Sequence, residues 1–203
     1  MNGRREHWNQ VYSTKAETDV SWYQPLPHLA LSIINSVARK DTPIIDIGGG
    51  TSRLVDELLT AGYSDLTVLD VSEAALARSK ERLGVLADRV DWIASDITRW
   101  EPPRRWGVWH DRAVFHFLTD PIDQSAYLAA LEKGTAKGAS VVISTFALDG
   151  PQKCSGLPVQ RYSAETLAER LGSGFELKAQ HPERHVTPSG ASQEFVYAVF
   201  ERV

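Results

Sequence analysis

Residues 43–53, Pro-Ile-Ile-Asp-Ile-Gly-Gly-Gly-Thr-Ser-Arg, constrain this chain more than any other stretch. Ile44, Ile45 and Ile47 make a short β-branched apolar run around Asp46, the pattern of a strand buried on both faces of a parallel sheet. Three glycines break the run. Thr51 and Ser52 then stand where they can cap a helix whose apolar residues are Leu54, Val55, Leu58 and Leu59. A strand, a glycine turn and a helix N-terminus bring bare backbone N–H groups and the positive end of a helix dipole to one point. Such a point can hold an adenosine-type cofactor.

The spacing narrows the cofactor. A dinucleotide site needs G-x-G-x-x-G, whose third glycine lets the helix pack closely on the strand. Gly48 and Gly50 fit, but Arg53 occupies the third position, which counts against NAD or FAD. No Gly-Lys-Ser/Thr follows, so a Walker loop fails too. What remains is Asp-x-Gly-x-Gly-x-Ser, which resembles the first motif of class I S-adenosylmethionine (SAM) methyltransferases. A tight turn in some other α/β protein is the alternative, and the rest of the chain must decide.

Strand-like runs recur at 43–47, 66–71, 90–94, 106–110 and 140–146, with helical runs between them. Ser72 can cap a helix carrying Ala75, Leu76 and Leu83, with Gly84 just past its end. Pro121 stands near the start of another, bearing Tyr127, Leu128 and Leu131 and closed by Gly134 or Gly138. Ser163 starts a third, closed by Gly172. Strand–helix alternation predicts a parallel sheet covered on both faces. The last two strands, at 175–180 and 194–201, have only a loop rich in His, Pro and Gly between them, so they must pair antiparallel. The expected fold is a doubly wound, seven-stranded, mostly parallel α/β sheet of Rossmann-like type, with strand 7 antiparallel. Ahead of it, two segments near 5–13 and 28–39 look helical, joined by the loop Ser21-Trp22-Tyr23-Gln24-Pro25-Leu26-Pro27.

Ligands of such sheets sit beyond the carboxyl ends of the strands. Strand 1 delivers Asp46 and then Gly48, Gly49 and Gly50. Strand 2 ends in Asp70-Val71, and 70 − 46 = 24 is close to the spacing at which an acid reaches a ribose diol. Strand 3 ends in Ser95-Asp96-Ile97, where the acid can accept from an adenine amino group while the isoleucine packs on the ring. Strand 4 ends in Trp109-His110-Asp111-Arg112, facing the reactive end of the ligand. Asp111, His116 and Cys154 are the candidate residues on the acceptor side: Asp111 to orient the acceptor or the methionine amine, a histidine as base, the thiol as a soft contact. Core roles for His116 and Cys154 stand beside these readings. Trp22 and Tyr23 can close over the cofactor, an aromatic face attracting the sulfonium, with staple-like core packing as the alternative. His181 and His185 lie among prolines that oppose a helical pair, so no metal site is expected.

With these residues in hand, the chain resembles class I SAM methyltransferases over nearly its whole length. The nearer likeness is to the branch that includes the elongation-factor and citrate-synthase lysine methyltransferases. The shared pattern appears here as Trp8 and Tyr12, Gly48-Gly49-Gly50-Thr51-Ser52-Arg53-Leu54, Gly62-Tyr63, Asp70-Val71-Ser72 and His110-Asp111-Arg112-Ala113. The chain departs at Arg112-Ala113, where that branch tends to Lys-Gly, and its last third has no counterpart there. The resemblance implies SAM as cofactor, S-adenosylhomocysteine (SAH) as product, and Tyr12 as a residue near the cofactor, where the loop reading also places Trp22. The acceptor is expected to be a small molecule, with a protein lysine as the alternative. A non-catalytic nucleotide binder or an NAD oxidoreductase is the distant rival.

Composition excludes several other classes. A net charge of −4 over 203 residues gives no global basic footprint for nucleic acid. The single cysteine, Cys154, excludes an intramolecular disulfide and a multi-cysteine zinc site. No apolar run approaches membrane-spanning length, and the N-terminus lacks a signal-peptide core, so a cytoplasmic location is expected. Trp92, Trp100, Trp106 and Trp109 cluster within 18 positions and suit packing around two adjacent strands, with a substrate-facing wall as the rival reading. One domain spanning 1–203 is expected, with 1–40 as an N-terminal helical lid and 41–203 as the SAM-binding core.

Overall fold

The computed structural model describes residues 3–203; Met1 and Asn2, the start of the expected lid, lie outside them. Helix α1 (Gly3–Thr14) and helix α2 (His28–Val37) precede strand β1 (Ile44–Ile47). Then come α3 (Leu54–Thr60), β2 (Leu66–Asp70), α4 (Glu73–Leu83), β3 (Val90–Ala94), β4 (Trp106–Arg112), α5 (Pro121–Gly134) and β5 (Thr135–Phe146). A two-stranded hairpin of β6 (Lys153–Cys154) and β7 (Leu157–Pro158) replaces the plain loop expected around Cys154. The chain closes with α6 (Ala164–Leu171), β8 (Phe175–Val186) and β9 (Ser192–Arg202).

Seven strands form one sheet in the order β3-β2-β1-β4-β5-β9-β8. Strands β1 to β5 pair in parallel, and β9 runs antiparallel to both β5 and β8. The expected topology is the observed one. Strands β1 and β2 are buried at every position, as the near-continuous apolar runs require. Two apolar layers cover the sheet. On one face Phe115, Tyr127 and Leu131 pack with α6 residues Leu167 and Leu171. On the other, Ile33 and Ile34 of α2 meet Leu54, Leu58 and Leu76 of α3 and α4. Helix α2 is therefore part of the core, which narrows the expected lid of 1–40 to α1 and the loop after it.

Local signals behave as their chemistry dictates. The Ser72 hydroxyl accepts from Ala75 N at 3.2 Å and caps α4. Asp120 caps α5, whose first residue is Pro121, and Ser163 with Thr166 forms a reciprocal capping box on α6. The cap of α3 differs: Arg53 holds that position, and Ser52 reaches Leu54 N from one residue further back. The final hairpin is longer than expected, because β8 continues through 181–186 and pairs residue by residue with 192–197. Pro182 is tolerated there since β8 is an edge strand. Three of the four clustered tryptophans are structural: Trp106 Nε1 donates to Thr67 Oγ1, Trp109 Nε1 donates to the Tyr127 hydroxyl, each at 3.0 Å, and Trp100 leans on both indoles.

Candidate active site

A cavity with about 850 Å³ of empty space, part of it open to solvent, lies beyond the carboxyl ends of β1, β2 and β4. A smaller one of about 520 Å³ adjoins it, and the two share Tyr12, Trp22, Gly48 and Arg112 as walls. The glycine turn makes the floor. Gly48 and Gly50 take φ of +69° and +41°, the left-handed region that favours glycine. A Cβ on Gly50 would lie 2.9 Å from Asp70 Oδ2 and 3.1 Å from the Tyr12 hydroxyl, so only a bare backbone leaves this corner open.

Asp70 is buried at the end of β2, where Oδ1 accepts from Ser72 N at 2.7 Å while Oδ2 faces the glycine turn. Burial pushes its carboxyl up from the ordinary 3.8 to about 7. A vicinal diol donating two hydrogen bonds would relieve that penalty. Val71, Asp96 and Ile97 line the same end of the cavity. Asp96 Oδ1 accepts from Thr98 N and Oγ1 at 3.0 and 2.8 Å, leaving Oδ2 to Arg4 at 3.5 Å. Asp46 and Gly49 line the smaller cavity instead, where Asp46 Oδ1 meets His110 Nδ1 at 2.7 Å.

The N-terminal segment roofs both cavities. Helix α1 sits on the start of α4, with Asn9 Oδ1 accepting from the Ser72 hydroxyl at 2.7 Å. Trp8 packs edge-on against Trp22 and Phe117 at 5.6 and 5.1 Å, and Tyr12 lies 6.0 Å from Trp22. The following loop is tied to the far side of the sheet. Ser21 O bonds His185 Nε2 at 2.7 Å, Trp22 O accepts from Arg112 Nη1 at 3.2 Å, and Gln24 Nε2 donates to Glu183 Oε1 at 3.0 Å.

Two of the three acceptor-side candidates are turned away from the cavity. Asp111 is fully buried, its carboxylate taking the Tyr127 hydroxyl at 2.7 Å and the backbone N–H groups of Val114 and Phe115. Burial raises its carboxyl to about 6. It braces the turn after β4 and touches no open space, which does not match an acceptor-orienting role. His116 is also fully buried, between Phe117 and Phe146, with Nδ1 accepting from Phe146 N at 3.3 Å. Burial drives its imidazole down to about 3, which makes it a weak base. Cys154 does line the cavity, packed on Phe146 and Phe195, and burial pushes its thiol up to about 11.

The cavity also holds residues outside the candidate set. Arg112 stands between the two cavities, Arg4 over the Asp96 corner, and Phe117 and Phe195 on the acceptor side. Arg112 follows Asp111 directly, and strand alternation puts the two on opposite faces; the signal was the pleat. Ala113 takes φ of +68°, the conformation the glycine of the related branch would adopt freely. Among the described residues no group of three or more His, Cys, Asp or Glu could hold a metal.

Residues 44–138 match the family described as a methyltransferase domain. The match takes in just under half of the chain. It is similar to an eEF1A lysine and N-terminal methyltransferase of Mus musculus, 26% identical over 101 residues, which is 50% of this chain and 14% of that protein. It is also similar to a tRNA U34 carboxymethyltransferase of Actinobacillus pleuropneumoniae, 24% identical over 152 residues, covering 74% of this chain and 44% of the relative. The chain thus spans less than half the length of either curated relative. Its fold matches Burkholderia thailandensis 1,6-didemethyltoxoflavin-N1-methyltransferase with bound S-adenosylhomocysteine at a TM-score of 0.70, with 19% identity, over 99% of this chain and 84% of that one. No helix of the described residues is long and apolar enough to cross a membrane.

Proposed function

We propose that this protein transfers a methyl group from SAM to a small-molecule acceptor. The carrying observation is the cavity over the strand ends, with Asp70, Asp96 and Ile97 in one part of its wall and the aromatic rings of Trp22, Phe117 and Phe195 in another. Asp70 would take both ribose hydroxyls, and Asp96 the adenine amino group, with Val71 and Ile97 against the ring. The backbone of Gly48, Gly49 and Gly50 would cradle the methionine tail, with Asp46 in its reach and Tyr12 and Trp22 closing from above. The cofactor supplies a methyl group on a cationic sulfur.

The protein's part is alignment and exclusion of water. An in-line displacement needs the nucleophile about 3–3.5 Å from the methyl carbon, and a dry aromatic wall strengthens every charge inside it. Neither His116 nor Cys154 is suited to take a proton from the acceptor near neutral pH. A protein lysine is the second reading, supported by the eEF1A relatives; the roof of α1 and the following loop leaves less room for a folded partner than for a small molecule. Nucleic acid is not proposed as acceptor, given the net charge of −4, and a cytoplasmic location is proposed from the lone buried Cys154.

The test is a screen with methyl-labelled SAM over small amines, thiols, oxyacids and lysate proteins. Label entering a small-molecule fraction supports the reading. Label entering only protein would transfer it to the lysine alternative, and none at all with SAM tightly bound would leave a binder that is not an enzyme.

A further inference from the structure

The glycine turn is held from behind by helix α4. Ser79, fully buried, donates its hydroxyl to Gly50 O at 2.7 Å. Arg82, three residues on and on the same face of the helix, donates through Nη1 to Thr51 O at 3.1 Å and through Nη2 to Ser52 O at 2.9 Å. Two side chains of one helix thus take three consecutive carbonyls of the turn. The guanidinium is itself locked. Asp56 of α3 takes Nε and Nη2 as a fork at 2.9 and 2.8 Å, and Glu17 of the loop after α1 accepts from Nη1 at 3.1 Å. The Arg82 side chain is only 15% exposed and stands behind the turn, outside the walls of both cavities.

The direction of these carbonyls matters because glycine permits either. A trans peptide sets its N–H opposite its C=O, and a peptide beside a glycine can flip at little steric cost. A flipped peptide turns a carbonyl oxygen toward whatever the turn holds, and repels an anion there. Carbonyls drawn onto α4 keep the N–H groups of the same peptides facing away from it. Ser52 N then closes the turn onto Gly49 O at 2.7 Å, and Gly49, Thr51 and Ser52 line the smaller cavity.

Resting on the methyl-transfer reading above, we propose that Ser79 and Arg82 are positioning residues for the amino-acid tail of the cofactor. Neither touches the tail. They fix the peptide planes of residues 50–52 so that the turn offers donors, not acceptors, to the tail's carboxylate. On the same reading the adenosine end is held at other strand ends, by Asp70, Asp96 and Ile97. The roof does not hang on Arg82 alone, because Glu17 also accepts from Arg53 Nε at 3.0 Å.

The test uses the full chain and two probes, SAH and 5′-methylthioadenosine, which share the adenosine and the sulfur but differ in the amino-acid tail. Calorimetry on the wild type should show SAH bound at least about tenfold more tightly, the effect expected of hydrogen bonds to a charged group. Arg82→Gln should cut that preference at least about fivefold while holding 5′-methylthioadenosine within about threefold of the wild type. Ser79→Ala, nearly isosteric, should cut it by about threefold, the loss of one hydrogen bond. Equal losses for both probes would make the two residues merely structural and overturn the proposal. An unchanged preference in both variants, or a wild type that binds the two probes equally, overturns it as well. If Arg82→Gln does not fold, Arg82→Lys takes its place: the ammonium keeps the charge but lacks the fork that reaches both carbonyls, and should lose at least about threefold of the preference. Failure of the wild type to bind either probe is a different result, and removes the methyl-transfer reading itself.

Discussion

Asp70 carries a consequence for pH. Burial holds its carboxyl near 7, yet two ribose hydroxyls can be accepted only by the ionised form. Its folded-state value lies above the unfolded one, so between about pH 4 and 7 the unfolded chain releases this proton first, and Asp70 lowers stability as pH rises. Cofactor binding runs the other way: SAM affinity should climb by up to roughly tenfold per pH unit on approach to 7 and then level off. Calorimetry on the wild type and Asp70→Asn checks this, because the variant should bind weakly and show no slope. Asp70→Ala should lose about 1.5–3 kcal/mol of SAM affinity. Asp111 makes a contrasting case. Asp111→Asn should destabilise the fold by about 1–3 kcal/mol in urea unfolding, since one of its hydrogen-bond acceptors becomes a donor facing Tyr127 or a backbone N–H. Its effect on SAM affinity should be small. Asp70, Asp96 and the glycines were legible because strand ends and spacing fix where they stand. That Arg112 lines the cavity while Asp111 does not was hidden, because one step along β4 reverses the face and composition at the strand end does not say which residue points in.

The roof is the element most open to experiment. Helix α1 contributes Arg4, Trp8 and Tyr12 to the cavity but no strand to the sheet. Removing residues 1–24 should leave the far-UV dichroism of the sheet and the outer helices largely unchanged, with SAM affinity down by at least about tenfold, since two or more aromatic contacts vanish together. A truncated protein that binds SAM normally would show that the segment is decoration. The two helical segments ahead of the sheet were readable from their apolar residues. Their different fates were not: α2 enters the core, α1 covers the cavity, and only tertiary partners such as Ser72 for Asn9 separate the two. The length of β8 was hidden for a similar reason. Its alternation of charged and part-buried residues through Pro182 and His185 reads as loop until the pairing with β9 is seen.

Taken as one body, the protein should respond to ligands of one kind. In a melting-temperature panel SAH and SAM should raise the midpoint, while NAD and ATP should leave it in place; binding at a hundred times the dissociation constant stabilises by about 2.7 kcal/mol. A shift with NAD would reverse the argument drawn from Arg53 in the glycine turn. The sheet order was visible in the sequence because alternation and a helix-free final connection permit few other topologies. The ties across the molecule were not visible, because His185 to Ser21 and Glu183 to Gln24 span 164 and 159 positions. Those ties set an order of events during synthesis. The segment that covers the cavity leaves the ribosome well before its anchors on β8. Until β8 and β9 have paired against β5, the nascent chain has a glycine cradle with an unfastened cover. Tight cofactor capture is thus expected only once the β8–β9 hairpin has folded.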